Sequence, residues 1–389
     1  MTLTLTPGPD GEEGRRGPLF HWLNSHEESP VKFVNGKGVA HDRQRNPGNV
    51  GWVYPWLASG LRQLGRSEAS PEDDAWMRTG TPDAMAQIEG GTFRMGSDVA
   101  YPEERPAHSV AVDGYWIDRY AVTNADFGAF IAATGYVTFA ERPLDPTLYP
   151  GARPEALKPG SAVFRMSRRP VRPRDLRDWW EYAPGADWRH PEGPGSTIAG
   201  REREPVVHVA FEDAAAYAAW VGKDLPTEAE WEFAARGGLD GAAYCWGDEF
   251  TPAGRWMANT WQGEFPWQNQ ALDGFAGRAP VGSFPANGYG LFDMAGNVWQ
   301  WTKDWYAAGH AHDPSRPCCA PRNPRGVAEA HSYDPAQPHG PRVARKVIKG
   351  GSYLCAPNYC LRYRPAARYP QAIDTMTSHI GFRCVLRTT

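Results

Sequence analysis

The 389-residue sequence has no run of the roughly 18 successive apolar residues that a spanning helix needs. Its first residues, MTLTLTPGPDGEEGRRG, lack the basic start and apolar stretch of a secretory leader, so a cytoplasmic protein without a membrane partner is expected. Charge of one sign is missing as well. With 41 Lys and Arg against 45 Asp and Glu, a net of −4, there is no electrostatic footprint for nucleic acid or for anionic lipid. No repeat of about 20 to 50 residues is visible, which disfavours solenoids and propellers. Cysteine is scarce and no CxxC occurs, which argues against a thioredoxin-type motif and a zinc ribbon. In a reducing compartment Cys245, Cys318, Cys319, Cys355, Cys360 and Cys384 are expected to be thiols or metal ligands rather than disulfides.

What the chain does have is 42 glycines and 36 prolines beside 17 Trp, 16 Tyr and 15 Phe. Glycine and proline set many backbone angles locally, while the aromatics supply the burial that disordered chains lack, so a loop-rich globular fold held by aromatic packing is expected. Residues 1–84 are polar and broken, with one modest amphipathic candidate in VYPWLASGLRQLG, and read as an extension of unknown role. At Met85 the texture changes. AQIEGGTFRMGSD predicts a strand, a glycine turn and a second strand, opening a domain that runs over 85–389. TNADFGAFIAATG predicts a helix capped by Thr123 and Asp126, with Phe127, Phe130, Ile131 and Thr134 on one face and a stop at Gly135. FEDAAAYAAWVGK predicts another, and PTEAEWEFAARGG a third, boxed by Thr227 and Glu230, with Trp231, Ala234 and Ala235 facing inward. From about residue 240 short strands and turns follow, ending in the strand GFRCVL, and 307–346, rich in Pro, Arg and His, predicts a long surface loop.

The stretch GGSYLCAPNYCLRYR holds the feature most in need of explanation. Cys355 and Cys360, five residues apart, share neither a helix face nor a strand face, so the chain must fold back between them, and Pro357-Asn358 is a turn-forming dipeptide at the right place. Such a reversal could join the sulfurs in a disulfide or offer them to a soft metal; two ordinary buried cysteines are the bland alternative. Zinc wants four ligands, whereas copper(I) needs fewer and favours thiolate.

GGSYLCAPNYCLRYRPAAR followed by SHIGFRC resembles the C-terminal signature of the formylglycine-generating enzymes, or sulfatase-modifying factors. The likeness runs in order through IEGGTFRMGS, VDGYWIDRYAVTNADF, GADWRHPEGPGSTI, PVVHVAFEDAAAY, LPTEAEWEFAARGGL, MANTWQGEFPWQN and PANGYGLFDMAGNVWQW, covering about residues 86 to 388. It implies an α+β, loop-rich fold on a C-type-lectin-like scaffold, and an oxidase that converts a sulfatase cysteine in a Cys-x-Pro-x-Arg sequence to Cα-formylglycine. The family's copper(I)-binding cysteines fall on Cys355 and Cys360. A nascent or unfolded sulfatase supplies its thiolate as a further ligand, dioxygen is reduced, and loss of a Cβ hydrogen gives a thioaldehyde that hydrolyses. The active-site serine falls on Ser352, the cavity tryptophan on Trp299 and the tyrosine beside the second cysteine on Tyr359. A first calcium site falls on Asn259 and Asp273 with the Thr260 and Phe275 carbonyls, all hard oxygen donors. A second falls on Asp293 and Gln300 with the Gly296 and Val298 carbonyls, although the family's residues there are Asn and Glu.

Other departures matter too. The disulfides of secretory relatives map to Ala218, Ala235, Pro365 and Cys384, so neither can form and Cys384 is expected as a lone thiol. The family's cavity asparagine is His379, a substrate-cavity residue that could serve as a proton donor or as a structural hydrogen-bonding group. Cys318-Cys319 has no counterpart. A monomer is expected. Three rival readings stand beside the oxidase. A non-haem iron sulfoxide synthase on the same scaffold would need an HxxxHxE cluster, but His21 and His26 have four residues between them. A lectin-like binding module would have no use for the cysteine pair. An oxidase of the same fold acting on another peptide or a small thiol remains open.

Overall fold

The computed structural model describes residues 84–149, 152–171, 176–310, 320–336 and 342–387. VYPWLASGLRQLG, His21, His26, Cys318 and Cys319 lie outside the described residues. Strands β1 (Met85–Ile88), β2 (Gly91–Met95), β3 (His108–Val112) and β4 (Tyr115–Asp118) open the domain. Helix α1 (Asn124–Thr134), strands β5 (Gly160–Phe164) and β6 (Trp180–Pro184), and helices α2 (Phe211–Trp220) and α3 (Glu228–Arg236) follow. Strands β7 (Trp299–Trp305), β8 (Arg345–Lys349), β9 (Arg368–Ala372), β10 (Ile380–Gly381) and β11 (Val385–Arg387) close it. The fold is α+β, with long irregular stretches between short elements.

The predicted glycine turn separates β1 from β2, yet these strands do not pair with each other. β1 and β11 flank β4 antiparallel, β2 pairs with β3, β5 pairs with β6, and the fourth sheet runs β10-β7-β8-β9 with β10 parallel to β7. GFRCVL is correspondingly two strands in two sheets, because Arg383 turns inward between them and donates to the Asp118, Arg119 and Phe292 carbonyls. Between 307 and 344 the described chain is irregular apart from one 3-10 turn, Glu329–His331, and it is tied to the body by bridges at Arg322 and Val327 and by Asn323 on Asp113 and Arg325 on Asp304.

The helices begin where the capping chemistry places them. Asp126 N donates to Thr123 Oγ1 at 3.2 Å and Thr123 N to Asp126 Oδ2 at 3.0 Å, while Gly135 ends α1 at φ 66°. Thr134 is exposed rather than inward, and its hydroxyl returns to the Phe130 carbonyl. Thr227 and Glu230 make the same reciprocal pair at the start of α3. All nine residues of α3 are buried, not one face alone. Its acids survive burial because cations meet them: from distant elements Lys349 reaches Glu232 at 2.9 Å and Arg368 reaches Glu228 at 2.7 Å, and from the helix itself Arg236 reaches Glu232 at 2.7 Å. Lys349 and Arg236 hold the Glu232 carboxyl down at about 2 despite desolvation, so the network stays ionised.

Candidate active site

β8 delivers the cysteine turn. After Lys349 the chain passes through Gly350 and Gly351 at φ 94° and 70°, and a Cβ on Gly351 would lie 2.9 Å from the Arg362 and Tyr363 backbone. Only glycine lets the outgoing and returning strands of the turn cross this closely. Cys355 N then donates to the Ser352 carbonyl at 2.9 Å, and Cys360 N to the Ala356 carbonyl at 2.8 Å, closing the reversal. Pro357 and Asn358 are its exposed tip, where the Asn358 amide donates to Glu264 at 3.2 Å and to the Phe265 carbonyl at 3.3 Å. The result is a pair of buried sulfurs 3.0 Å apart, beyond the ~2.05 Å of a disulfide bond.

The pair sits in a narrow, largely aromatic pocket. Trp299, Tyr359, Ser352 and His379 line it, so the structure brings all the expected cavity residues to one place. Parallel pairing of β10 with β7 sets Trp299 N 2.8 Å from the His379 carbonyl, which ties two of them together directly. Tyr359 stacks on Phe265 with centroids 4.2 Å apart. Ser352 N points at Cys355 Sγ, 3.4 Å away, and Ser352 Oγ lies 3.2 Å from His379 Nδ1.

One wall is absent from the sequence reading. Leu176 and Trp179 enter the pocket from the end of the β5–β6 connection and Trp180 from the first residue of β6, with Trp180 edge-on to His379 at 4.9 Å. Their only local signal is a tryptophan doublet inside an arginine-rich stretch. That connection is anchored by Arg165 N on the Trp179 carbonyl and Ser167 N on the Pro266 carbonyl, contacts no local pattern encodes. His208 was likewise missed. Held at φ 60°, its Nε2 donates to the Pro191 carbonyl at 2.8 Å and its Nδ1 accepts from the Ser161 hydroxyl of β5 at 2.6 Å, while its own backbone N donates to the Thr377 carbonyl. Burial pushes it down to about 3, so it is neutral and structural.

The other described cysteines differ from the pair. Burial pushes the Cys245 thiol up to about 12 and Cys384 well above its ordinary range, with Asp118 adding to the latter. Both are free, so Cys384 is the lone thiol expected. Among the described cysteines only the two of the turn line one pocket together, where they offer soft donors suited to one low-coordinate metal.

The residues of the first calcium site fit a hard cation. Asn259 is buried and its Oδ1 has no hydrogen-bond partner in the structure, although its amide donates to the Gly277 carbonyl at 2.9 Å. Asp273, whose carboxyl burial raises above its usual range, is set among Thr260 N at 3.0 Å, Gln262 Nε2 at 2.7 Å and Phe275 N at 3.0 Å. An unsatisfied buried oxygen on Asn259, and a desolvated carboxylate on Asp273 that is tied to the adjoining Thr260 N–H, are what a cation relieves.

The second set does not fit. Gln300 Oε1 already accepts from Trp231 Nε1 at 2.8 Å and Arg383 Nε at 2.7 Å, and Gln300 Nε2 donates to the Asp293 carbonyl at 2.9 Å. Asp293 Oδ2 takes the Gly282 N–H at 2.8 Å. Burial raises Asp293 to about 6, and the Arg383 guanidinium is the cation that opposes this. The turn at Asp293, Gly296 and Val298 is thus closed around an internal cation, and no calcium is assigned to it.

Comparison with known proteins agrees with the geometry. The family model for the sulfatase-modifying factor enzyme 1-like domain matches residues 72–388. The formylglycine-generating enzyme of Mycobacterium tuberculosis is 55% identical over 302 residues, covering 77% of this chain and 97% of that protein. The enzyme of the same name from Thermomonospora curvata is 47% identical over 306 residues, covering 77% and 92%. Among solved structures, PvdO from Pseudomonas aeruginosa is similar in fold, with a TM-score of 0.52 and 24% identity over 78% of this chain and 94% of that one. By the extent of the family match and the identity to these relatives, the chain belongs to the sulfatase-modifying factor enzyme 1-like family.

Proposed function

We propose that this protein is a formylglycine-generating oxidase: it converts a cysteine of a sulfatase polypeptide, within a Cys-x-Pro-x-Arg sequence, to Cα-formylglycine. The observation that carries the reading is the pair Cys355 and Cys360, 3.0 Å apart beside an aromatic pocket. Two curated relatives at 55% and 47% identity bear the corresponding name, which supports the substrate. Copper(I) held by Cys355 and Cys360 would supply the electron-transfer chemistry with dioxygen that amino-acid side chains lack.

The chain's own residues do the rest. Trp179, Phe265 and Tyr359 form an apolar wall that keeps water from the sulfurs. Ser352 steadies Cys355 Sγ through its backbone N–H and turns its hydroxyl to the same pocket. An incoming peptide held there has its reacting carbon positioned rather than encountered by chance. The Asn259/Asp273 calcium would brace the neighbouring Trp261, whose backbone N–H donates to the Cys355 carbonyl at 3.0 Å.

The electrons balance with a thiol reductant. Cysteine to aldehyde, with water entering and hydrogen sulfide leaving, releases two electrons; two further thiols joining as a disulfide release two more. Dioxygen takes all four. A reducing cytoplasm would supply the thiols.

The test is turnover. Copper-loaded protein given a Cys-x-Pro-x-Arg peptide, oxygen and a thiol reductant should lower the peptide mass by about 18 Da, and Cys355→Ser or Cys360→Ser should each abolish that change in folded protein. An unchanged peptide would remove the proposed substrate, and full turnover by either variant would remove the proposed centre.

A further inference from the structure

Ser352 Oγ has one proton to give and two lone pairs. Two groups lie within reach: Leu354 N donates to it from 3.3 Å, and His379 Nδ1 stands 3.2 Å away. Among the described residues no other acceptor for the hydroxyl proton is within hydrogen-bond distance. A proton on His379 Nδ1 would therefore leave the Ser352 proton without an acceptor at a buried position, which folded proteins avoid. With the proton absent from Nδ1, both groups are satisfied.

The imidazole is held for this role from both sides. Its backbone carbonyl receives Trp299 N at 2.8 Å, where β10 begins beside β7. The preceding residue is fixed to β5, since Ser378 N donates to the Ala162 carbonyl at 3.1 Å and Phe164 N to Ser378 Oγ at 3.1 Å. Trp180 then sets the ring plane by its edge contact at 4.9 Å.

We infer that His379 is a positioning residue acting through Ser352: its unprotonated Nδ1 accepts a hydrogen bond from the serine hydroxyl, so that Ser352 presents a lone pair, not a proton, to the incoming cysteine residue. Leu354 N occupies one lone pair of Ser352. The other is left for the S–H or N–H of the target cysteine, beside the sulfur that Ser352 N already steadies. The inference rests on the reading of this pocket as the place where a peptide cysteine reacts.

Side-chain geometry supplies a discriminating test. Asn places Oδ1 close to where His carries Nδ1, whereas Gln reaches the position of Nε2. His379→Asn should keep turnover within about threefold of the unsubstituted protein, while His379→Gln and His379→Ala should each lose about tenfold or more. Ser352→Ala should lose a similar factor, and adding His379→Ala to it should cost little further, since both changes remove one hydrogen bond. Nitrogen-15 imidazole spectra of the metal-free protein should show His379 as the Nε2–H tautomer, with an Nδ1 signal that moves in Ser352→Ala. An Nδ1-protonated ring, equal turnover by the Asn and Gln variants, or fully multiplicative losses at 352 and 379 would each overturn the inference. Failure of the unsubstituted protein to convert peptide would instead strike the functional reading, and the tautomer would still decide the hydrogen bond.

Discussion

At the scale of single residues, the histidines divide by what surrounds them. His208 is enclosed, with both ring nitrogens engaged, and desolvation lowers it to about 3; His310 is lowered to about 4 for the same reason. Between the ordinary histidine range near 6.5 and these values the unfolded chain binds protons that the folded protein refuses. Their contribution to stability is therefore whole above about pH 6.5 and declines as the pH falls toward 3 to 4. Asp126, Asp213 and Asp293, raised to about 6 chiefly by burial, act with the opposite sign, since the folded protein takes up their protons first. A difference between variants isolates one group. His208→Asn tolerates the positive φ and removes the titration, so its melting temperature should fall less steeply than that of the unsubstituted protein from pH 6.5 to 4.5. Parallel curves would mean that His208 does not hold its proton off as described.

At the scale of elements, the site depends on how β8 ends. Gly351→Ala would drive a Cβ to 2.9 Å from the Arg362 and Tyr363 backbone at a φ of 70°, prising apart the two arms of the turn. Gly222 provides a control, with the same φ of 70° and nothing within 4 Å of the added carbon. Both substitutions should cost about 1 kcal/mol of backbone strain. Only Gly351→Ala should also abolish peptide turnover, and normal turnover by that variant would show that the crossing does not set the cysteine spacing. The elements themselves were unequally legible. Helices α1 and α3 were legible because each opens on a four-residue capping box and stops at a glycine, both local devices. The burial of α3 on all sides was not, since Lys349 and Arg368, which meet its acids, come from more than a hundred residues away. The Trp179-Trp180 wall escaped for a similar reason: its place depends on backbone bonds between the β5–β6 connection and the chain at Pro266. The reversal between Cys355 and Cys360 could be argued from their spacing and Pro357-Asn358, but its closeness needed the Gly350-Gly351 crossing.

At the scale of the whole molecule, long irregular stretches are fixed by a few buried polar centres. One is the Asn259/Asp273 turn, with its unpartnered Oδ1; another is Arg383, which joins the Asp118, Phe292 and Gln300 stretches from within. Calcium binding the folded protein should stabilise it by RT ln(1 + [L]/Kd), so chelation should lower the melting temperature and Asp273→Ala should remove most of that response. Elemental analysis should find one calcium per chain. Two would contradict the Arg383-filled second turn, and none would contradict the first site.

The central claim is that Cys355 and Cys360 form a two-thiolate metal centre with a position left open for substrate sulfur. Competitive titration of the reduced protein with copper(I) tests it most directly. One tight equivalent per chain is predicted, lost in the Cys355→Ser/Cys360→Ser double variant although Cys245, Cys318, Cys319 and Cys384 remain. A tight equivalent that survives in the double variant would place the metal elsewhere and contradict the account.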